Sequence, residues 1–401
     1  MMHFLILFQI LGMWANGANY LVLSGTSTVF SRGVDAILYN PANLSLNRGF
    51  SLRIISPSAG GFNRSFSLSK YNYYSGGVFL DDADKSDIMN SIPNTGFALL
   101  ANAGVAGIEL SVGGFGFSFR ALGLGKGTIP KILFDLMLWG NELDRTYQFE
   151  NMDGMAVAFL SFTSSYGKMF GLGGRNLSLG AGVRYLYGLY TAYVSEATLH
   201  LLTSRYALNG DGFLKYRTAD GGGGFALDLG LYAGVSEMSS IAISLSNINT
   251  GLRWTSNTQE GWLSVEIDSL NLENTEDAVT SEDSSLYDRG AFKTPLPAYL
   301  MIAFEHDRGN LQYGVGYEQV LNKTPLSSRK PQFSLAVKYD LKAWFAPMAG
   351  FAIGGEEGFF MGIGSHSKIK GVGLNIGLQN VGAPFYGMRG LKLGIDIGYN
   401  I

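Results

Sequence analysis

The chain has 401 residues and a formal net charge of −3, with 46% hydrophobic residues, 13% aromatic, 15% charged, 55 Gly and no Cys. That is more glycine and aromatic side chain, and less charge, than a soluble domain usually carries. Mild acidity without a basic run gives nucleic acid nothing to bind, and the lack of Cys excludes disulfides and thiolate metal sites.

The first element is a secretory signal. "MMHFLILFQILGMWANGA" runs apolar from Phe4 to Trp14 and then offers small residues at Ala15 and Gly17, which predicts cleavage after Gly17 and a signal over 1–17. Only His3 stands where Lys or Arg usually precedes the apolar run.

Residues 18–47 come next, and "SRGVDAILYNPANLSL" (31–46) holds Asn40-Pro41-Ala42. Pro41 fixes its own φ and biases Asn40 to an extended shape, while Asn40 can hydrogen-bond nearby backbone. Taken alone, this is a turn into a first strand. The stretch resembles the N-terminal segment of FadL-type outer-membrane transporters and of PorV-type barrels associated with a secretion system. In those proteins an Asn-Pro-Ala motif lies in a plug inside a barrel. The resemblance implies a plug over 18–47 with Asn40, Pro41 and Ala42 as its motif, and a barrel over 48–401.

"DKSDIMNSIPNTG" (84–96) and "IPKILFDLMLWGN" (129–141) are similar to segments of an uncharacterised family of outer-membrane barrels of this length. Each predicts a short helix in an outer loop. In the second, Thr128 caps, Pro130 suits the first turn and Gly140-Asn141 terminates. Ile132, Leu133, Phe134, Leu136, Met137, Leu138 and Trp139 make it apolar nearly all round, so it must cover something apolar. It packs over a barrel mouth or walls a groove for hydrophobic molecules. The second role makes Ile132, Leu133, Leu136, Met137 and Trp139 a candidate ligand site.

Between these segments, 96–119 is long enough to cross a bilayer as a helix, but Gly104, Gly107, Gly113, Gly114 and Gly116 weaken that reading. Two strands with a turn near Gly113-Gly114 are expected. From there, alternation dominates. "NLSLGAGVRYLYG" (176–188), "GFALDLGL" (224–231), "WLSVEID" (262–268), "NLQYGVGY" (310–317), "PQFSLAVKYDL" (331–341) and "GLNIGLQN" (373–380) each oppose an apolar face to a face of Gly, Ser, Asn and occasional charge. Such segments, split by turn residues, are the signature of a transmembrane β-barrel. A soluble sandwich or lipocalin-like barrel also alternates, but the unit recurs too often for one sandwich, and the polar face suits a wet lumen. The expected fold is all-β: a transmembrane antiparallel up-and-down barrel of 14–16 strands, fourteen if weak segments at 71–80 or 347–368 are not strands. Short turns at 236–240, 307–310, 342–344 and 368–371 alternate with longer connections at 81–95, 126–147, 271–296 and 322–331, placing both chain ends in the periplasm.

Other clusters carry little chemistry. "GGGG" (221–224) lacks the Gly-Lys-Ser/Thr of a phosphate loop and is expected to be a bend. The acidic stretch 271–290, with Glu273, Glu276, Asp277, Glu282, Asp283 and Asp288, has no EF-hand spacing and reads as a solvated loop. In "EHD" (305–307) alternation sends His306 away from Glu305 and Asp307, and neither HExxH nor GxSxG occurs. No catalytic residues, metal or cofactor are expected.

The last strand, "LKLGIDIGYNI" (391–401), turns Leu391, Leu393, Ile395, Ile397, Tyr399 and Ile401 to lipid and Lys392, Asp396 and Asn400 to the lumen. Its spacing Lys392-x-Gly394-x-x-Ile397-x-Tyr399 is similar to the C-terminal β-signal of outer-membrane barrels. That implies outer-membrane lipids and the barrel assembly machinery as partners, although Asn400 and Ile401 follow the aromatic. By resemblance, the expected function is passive passage of hydrophobic small molecules or lipids. The competing reading is a non-transporting partner barrel that presents secreted proteins or docks a secretion-system component.

Overall fold

A sheet with one apolar face and free edges is stable beside lipid only when it closes on itself, because closure satisfies every backbone donor and acceptor. In the computed structural model, which describes residues 17–47, 49–77, 79–149, 152–172, 175–270 and 279–400, it closes. The walls are β1 (Phe50–Asn63), β2 (Phe97–Val112), β3 (Phe115–Ile129), β4 (Asp153–Leu172), β5 (Arg175–Thr203), β6 (Gly222–Gly234) and β7 (Ser239–Ile248). They continue through β8 (Tyr299–Arg308), β9 (Leu311–Val320), β10 (Gln332–Tyr339), β11 (Phe345–Gly354), β12 (Gly358–Ile369), β13 (Val372–Gly382) and β14 (Met388–Asn400). Each pairs antiparallel with its neighbour in this order, and β14 returns to β1 with Ser51 opposite Asn400 and Gly60 opposite Lys392. The barrel has 14 strands.

The short turns, Gly113-Gly114 among them, share one end with the start of β1 and the end of β14. Gly113 and Gly114 both have positive φ, 56° and 90°, which only glycine adopts freely. At the other end β5, at 29 residues, far exceeds the roughly 9–11 that a membrane strand needs. Its C-terminal half pairs with 208–219, which pairs with 259–270, and that with 279–288, so a sheet projects beyond the barrel. Glu260 binds that sheet together: Lys215 lies 2.9 Å away, Arg217 2.5 Å, and Arg289 pairs with it as well.

Three expectations are corrected here. Segment 71–80 contributes no strand; α4 (Leu68–Ser75) and α5 (Asp82–Ser91) occupy the β1–β2 connection, the latter started by an Asp81/Asp84 capping box. Residues 279–288 of the acidic stretch form a strand because 259–270 offers a free edge to pair with, whereas Glu273, Glu276 and Asp277 lie outside the described residues. Gly222–Gly224 are not a bend but the start of β6. A Cβ at Gly222 or Gly224 would lie 2.4 or 2.1 Å from the carbonyl oxygens of Arg253 and Gly251, so these glycines admit an infolded loop.

Alternation places the apolar side outward as expected, with Phe333, Leu335, Leu374, Ile376, Leu391, Leu393 and Ile397 exposed and Ala336, Gln379, Lys392 and Asp396 buried. Ile395 shares the outer face near the middle of β14. We expect Ile395→Arg to destabilise the barrel by about 2–4 kcal/mol if it lies near the bilayer midplane. Equilibrium folding into lipid vesicles measures this; an unchanged folding free energy would mean the outer face does not contact lipid.

The lumen is not wet throughout. Residues 18–46 fold into α1 (Ala18–Leu23), α2 (Ser27–Phe30), α3 (Ala36–Tyr39) and 3-10 turns at Ser24–Thr26, Gly33–Asp35 and Pro41–Leu46, and they pack inside the barrel wall. None of these helices is long enough to persist alone, so the wall must dictate their shape. Towards the other end, an infolded loop brings Leu252, Trp254 and Leu296 against Leu122, Leu124, Val157, Phe159 and Leu186 of β3, β4 and β5. The Trp254 indole donates to Thr294 Oγ1 at 3.0 Å.

Candidate functional site

Where the N-terminal segment meets the wall, the sequence makes its most specific contacts. Asn40 is extended, at φ −162°, as the following Pro41 requires. Its Oδ1 accepts from Ala42 N at 3.1 Å. Its Nδ2 donates to Thr28 O at 3.1 Å and to Leu231 O on β6 at 3.0 Å. The side chain thus closes the turn, ties it to α2 and ties both to the barrel, and it is 0% exposed.

Beneath this turn lies a feature that sequence reasoning missed. Gly167, Gly180 and Gly230 sit side by side on β4, β5 and β6. A Cβ would fall 2.4 Å from Pro41 O at Gly167, 2.2 Å from Ala42 N at Gly180 and 2.0 Å from Asn40 Oδ1 at Gly230. Gly364, Gly377 and Gly394 form a second row on β12, β13 and β14 under α1. The inward glycines expected to line water are shelves that admit backbone. Their signal in the sequence was glycine recurring at inward positions of successive strands.

Charge fixes the same segment from the side of β1. Arg53 Nη1 lies 2.6 Å from Glu109 on β2. Its Nη2 lies 2.6 Å from Asp35 of the N-terminal segment and 3.4 Å from Asp396 on β14. Glu109 also accepts from Arg120 Nε at 2.8 Å and Ser118 Oγ at 2.5 Å on β3. Strand alternation puts all five wall residues on the inner face, although up to 343 positions separate them. Between the N-terminal segment and the wall remains a chamber of about 120 Å³, lined by Tyr20, Tyr39, Arg184, Glu318, Glu357 and Lys392. Tyr20 and Tyr39 stack at 5.1 Å as its floor, and the Tyr20 hydroxyl donates to Glu318 at 2.7 Å.

At the end of the barrel away from the chain termini, α6 (Lys131–Trp139) forms in the β3–β4 connection and ends at Gly140, whose φ is 77°. Thr128 does not cap it: that residue belongs to β3, and Pro130 holds the N-cap position without a side-chain bond. Phe134 and Leu138 pack on Ile88, Ile92, Phe97 and Phe66, joining α6 to α5. Of the candidate ligand residues, Ile132, Leu133 and Leu136 are half-buried, while Met137 and Trp139 are exposed. Lys70 and Tyr74 of α4 clasp Asp87 of α5 at 2.7 and 2.6 Å. These hydrogen bonds hold the Asp87 carboxyl below its ordinary value.

The residues expected to form a β-signal divide by face. Lys392 pairs inward with Glu357, and Gly394 sits under Ala18; Ile397 and Tyr399 point outward. The "EHD" trio is dispersed, with Glu305 buried near Arg32 and His306 bonded to Ser239 at 2.8 Å.

Residues 41–221 match a family described as of unknown function, DUF5723. No curated protein matches the chain by sequence. Among solved structures, a Pseudomonas aeruginosa FadL homologue is 10% identical over 98% of this chain and 99% of its own, with a TM-score of 0.56. This chain has the FadL-type barrel fold. The P. putida toluene transporter TodX superposes with a TM-score of 0.54 at 11% identity, covering 98% of this chain and 99% of its own. The monoaromatic hydrocarbon channel CymD does so at 0.51 and 11%, covering 95% and 98%. At such identities the likeness is one of fold, of the outer-membrane type.

Proposed function

We propose that this FadL-type barrel passes hydrophobic small molecules or lipids across a bacterial outer membrane by passive diffusion, with both chain ends periplasmic. One observation carries the reading: apolar side chains are exposed at the outer mouth of a lumen that is filled rather than open. Phe79, Met137, Trp139, Phe385 and Tyr386 stand exposed around α4, α6 and the 385–387 turn. Exposed apolar groups at a mouth suit capture of a hydrophobic solute. In this reading Ile132, Leu133, Leu136, Met137 and Trp139 contact it. The short turns beside both termini support the orientation.

The direct test is uptake of radiolabelled toluene by proteoliposomes holding the intact barrel, with Met137→Asp/Trp139→Asp as comparison. Uptake above protein-free vesicles, reduced in the double variant, is the expected result. Uptake equal to protein-free vesicles, together with stoichiometric recovery of a protein partner from membranes, would favour the partner-barrel reading, for which the projecting sheet of 208–219, 259–270 and 279–288 offers a surface.

A second expectation concerns the plug. Deleting residues 18–44 removes the turn, Asp35 and the helices that fill the lower lumen. The truncated barrel should conduct small ions in planar bilayers while the intact protein conducts little. Equal conductance would show that the segment does not obstruct the lumen.

A further inference from the structure

The buried cluster at the floor of the barrel does not balance in charge. Asp35, Glu109 and Asp396 contribute three carboxylates, and the ion pairs they make come from Arg53 and Arg120. Fully ionised, the five groups sum to −1, and none is more than 8% exposed. Asp396 is the least compensated: among the described residues its one cationic contact, Arg53, lies 3.4 Å away, and Asn375 reaches it at 3.3 Å. Lys392 pairs instead with Glu357, and His366 is bonded to Asn375 rather than to the carboxylate. A buried, under-compensated carboxylate calls for a further cation.

The backbone nitrogen of Ala18 stands where that cation is needed. It lies 3.2 Å from Asp396 Oδ1, beside Ser56 Oγ at 2.6 Å from the same oxygen, and Ala18 is 0% exposed. The wall is shaped for it. A Cβ at Gly377 would fall 2.1 Å from Ala18 O, and one at Gly394 would fall 3.1 Å from Ala18 Cα. Independently, Ala15 and Gly17 place a signal cleavage site between Gly17 and Ala18. Hydrolysis there by an endopeptidase, with one water consumed, leaves a carboxylate on Gly17 and an α-ammonium on Ala18.

We propose that Asp396 is the receiving site for the α-ammonium of the processed chain, so that cleavage supplies the charge that neutralises the cluster and fixes the plug. At ordinary α-amino pKa, about 7.7–8.0, the group is largely charged near neutral pH. An ammonium at the N-terminus of α1 would otherwise oppose the helix dipole, and Asp396 offsets that penalty. The proposal does not depend on what the barrel transports.

The test uses full-length protein expressed with its signal and extracted from outer membranes. Mass spectrometry should find Ala18 first. A membrane-impermeant acetylating reagent should then modify the α-amine at least about tenfold more slowly in the folded barrel than after heat unfolding, as expected for a group protected by burial. Asp396→Asn keeps an acceptor but removes the charge, so it should speed labelling and lower the temperature at which the folded gel band converts. Insertion of one Ala after Gly17 displaces the amine without touching the wall and should do the same, which keeps the test intact if Asp396→Asn does not fold. Once the insertion is present, Asp396→Asn should add little. A first residue other than Ala18, folded-state labelling at the unfolded rate, or unaltered labelling in both variants overturns the proposal.

Discussion

Arg53→Met is expected to destabilise the barrel by about 3–5 kcal/mol, because it leaves buried carboxylates without their cation. Arg53 belongs to the first strand, yet its guanidinium touches Glu109 on β2, Asp396 on the last strand and Asp35 of the N-terminal segment. It therefore spans the seam where β14 closes on β1 and fastens the N-terminal segment across it. The register slips at this level, between Arg53 and Ile55. The guanidinium accordingly braces the wall where its ladder is interrupted. Glu109 keeps Arg120 and Ser118 in the variant, whereas Asp35 keeps, among the described residues, the Asn19 amide at 2.8 Å. Arg53→Lys, a point charge without the planar fork, should recover part of the loss. Denaturant unfolding of barrels folded in vesicles measures both. Arg53→Met at wild-type stability would mean that the cluster does not form.

The same residues show what the sequence disclosed and what it hid. β10, β13 and β14 were legible with their faces, because alternation at a period of two encodes which side meets lipid. Glu109 is the only charge in the apolar stretch 96–119, and alternation with Leu110 and Val112 sets it on the face opposite them. Its partners did not stand out: Arg53 and Arg120 lie on separate strands, and register, which composition does not encode, brings them to Glu109 and brings Asp396 to Arg53. The 279–288 strand was hidden because its acidic, Ser-rich residues have low strand preference, and pairing with 259–270 overrides it. Trp254 was hidden for another reason. A loop folded into a lumen carries no periodic pattern. The Asn-Pro-Ala turn was visible as a local motif, but the shelf that receives it was not, since an inward glycine beside water and one beside backbone read alike.

That shelf leads to the second large effect. Gly180→Val should expel the Asn40-Pro41-Ala42 turn while leaving the barrel closed. A Cβ at Gly180 would sit 2.2 Å from Ala42 N and 2.3 Å from Pro41 C, both backbone atoms held in place by Asn40. Neither can yield without breaking the turn, and two further methyl groups at the same site leave no local adjustment. The wall itself should tolerate the change, because valine favours strands and Gly180 keeps its pairing with Gly167 and Gly230. Displacement frees the chain around the segment's single Lys or Arg site, Arg32, whose side chain already reaches solvent while Ser31 and Val34 beside it are buried and its guanidinium bonds Val29 O at 2.6 Å. Trypsin should then cut after Arg32 in the variant and spare the folded parent, and planar bilayers should register conductance in the variant. Asn40→Ala is the milder companion. It leaves room for the turn but strands its bonding partners, a loss of about 1–3 kcal/mol, so cleavage at Arg32 should be slower than in Gly180→Val and faster than in the parent. If Gly180→Val resists trypsin and conducts no more than the parent, the turn does not rest on the glycine row.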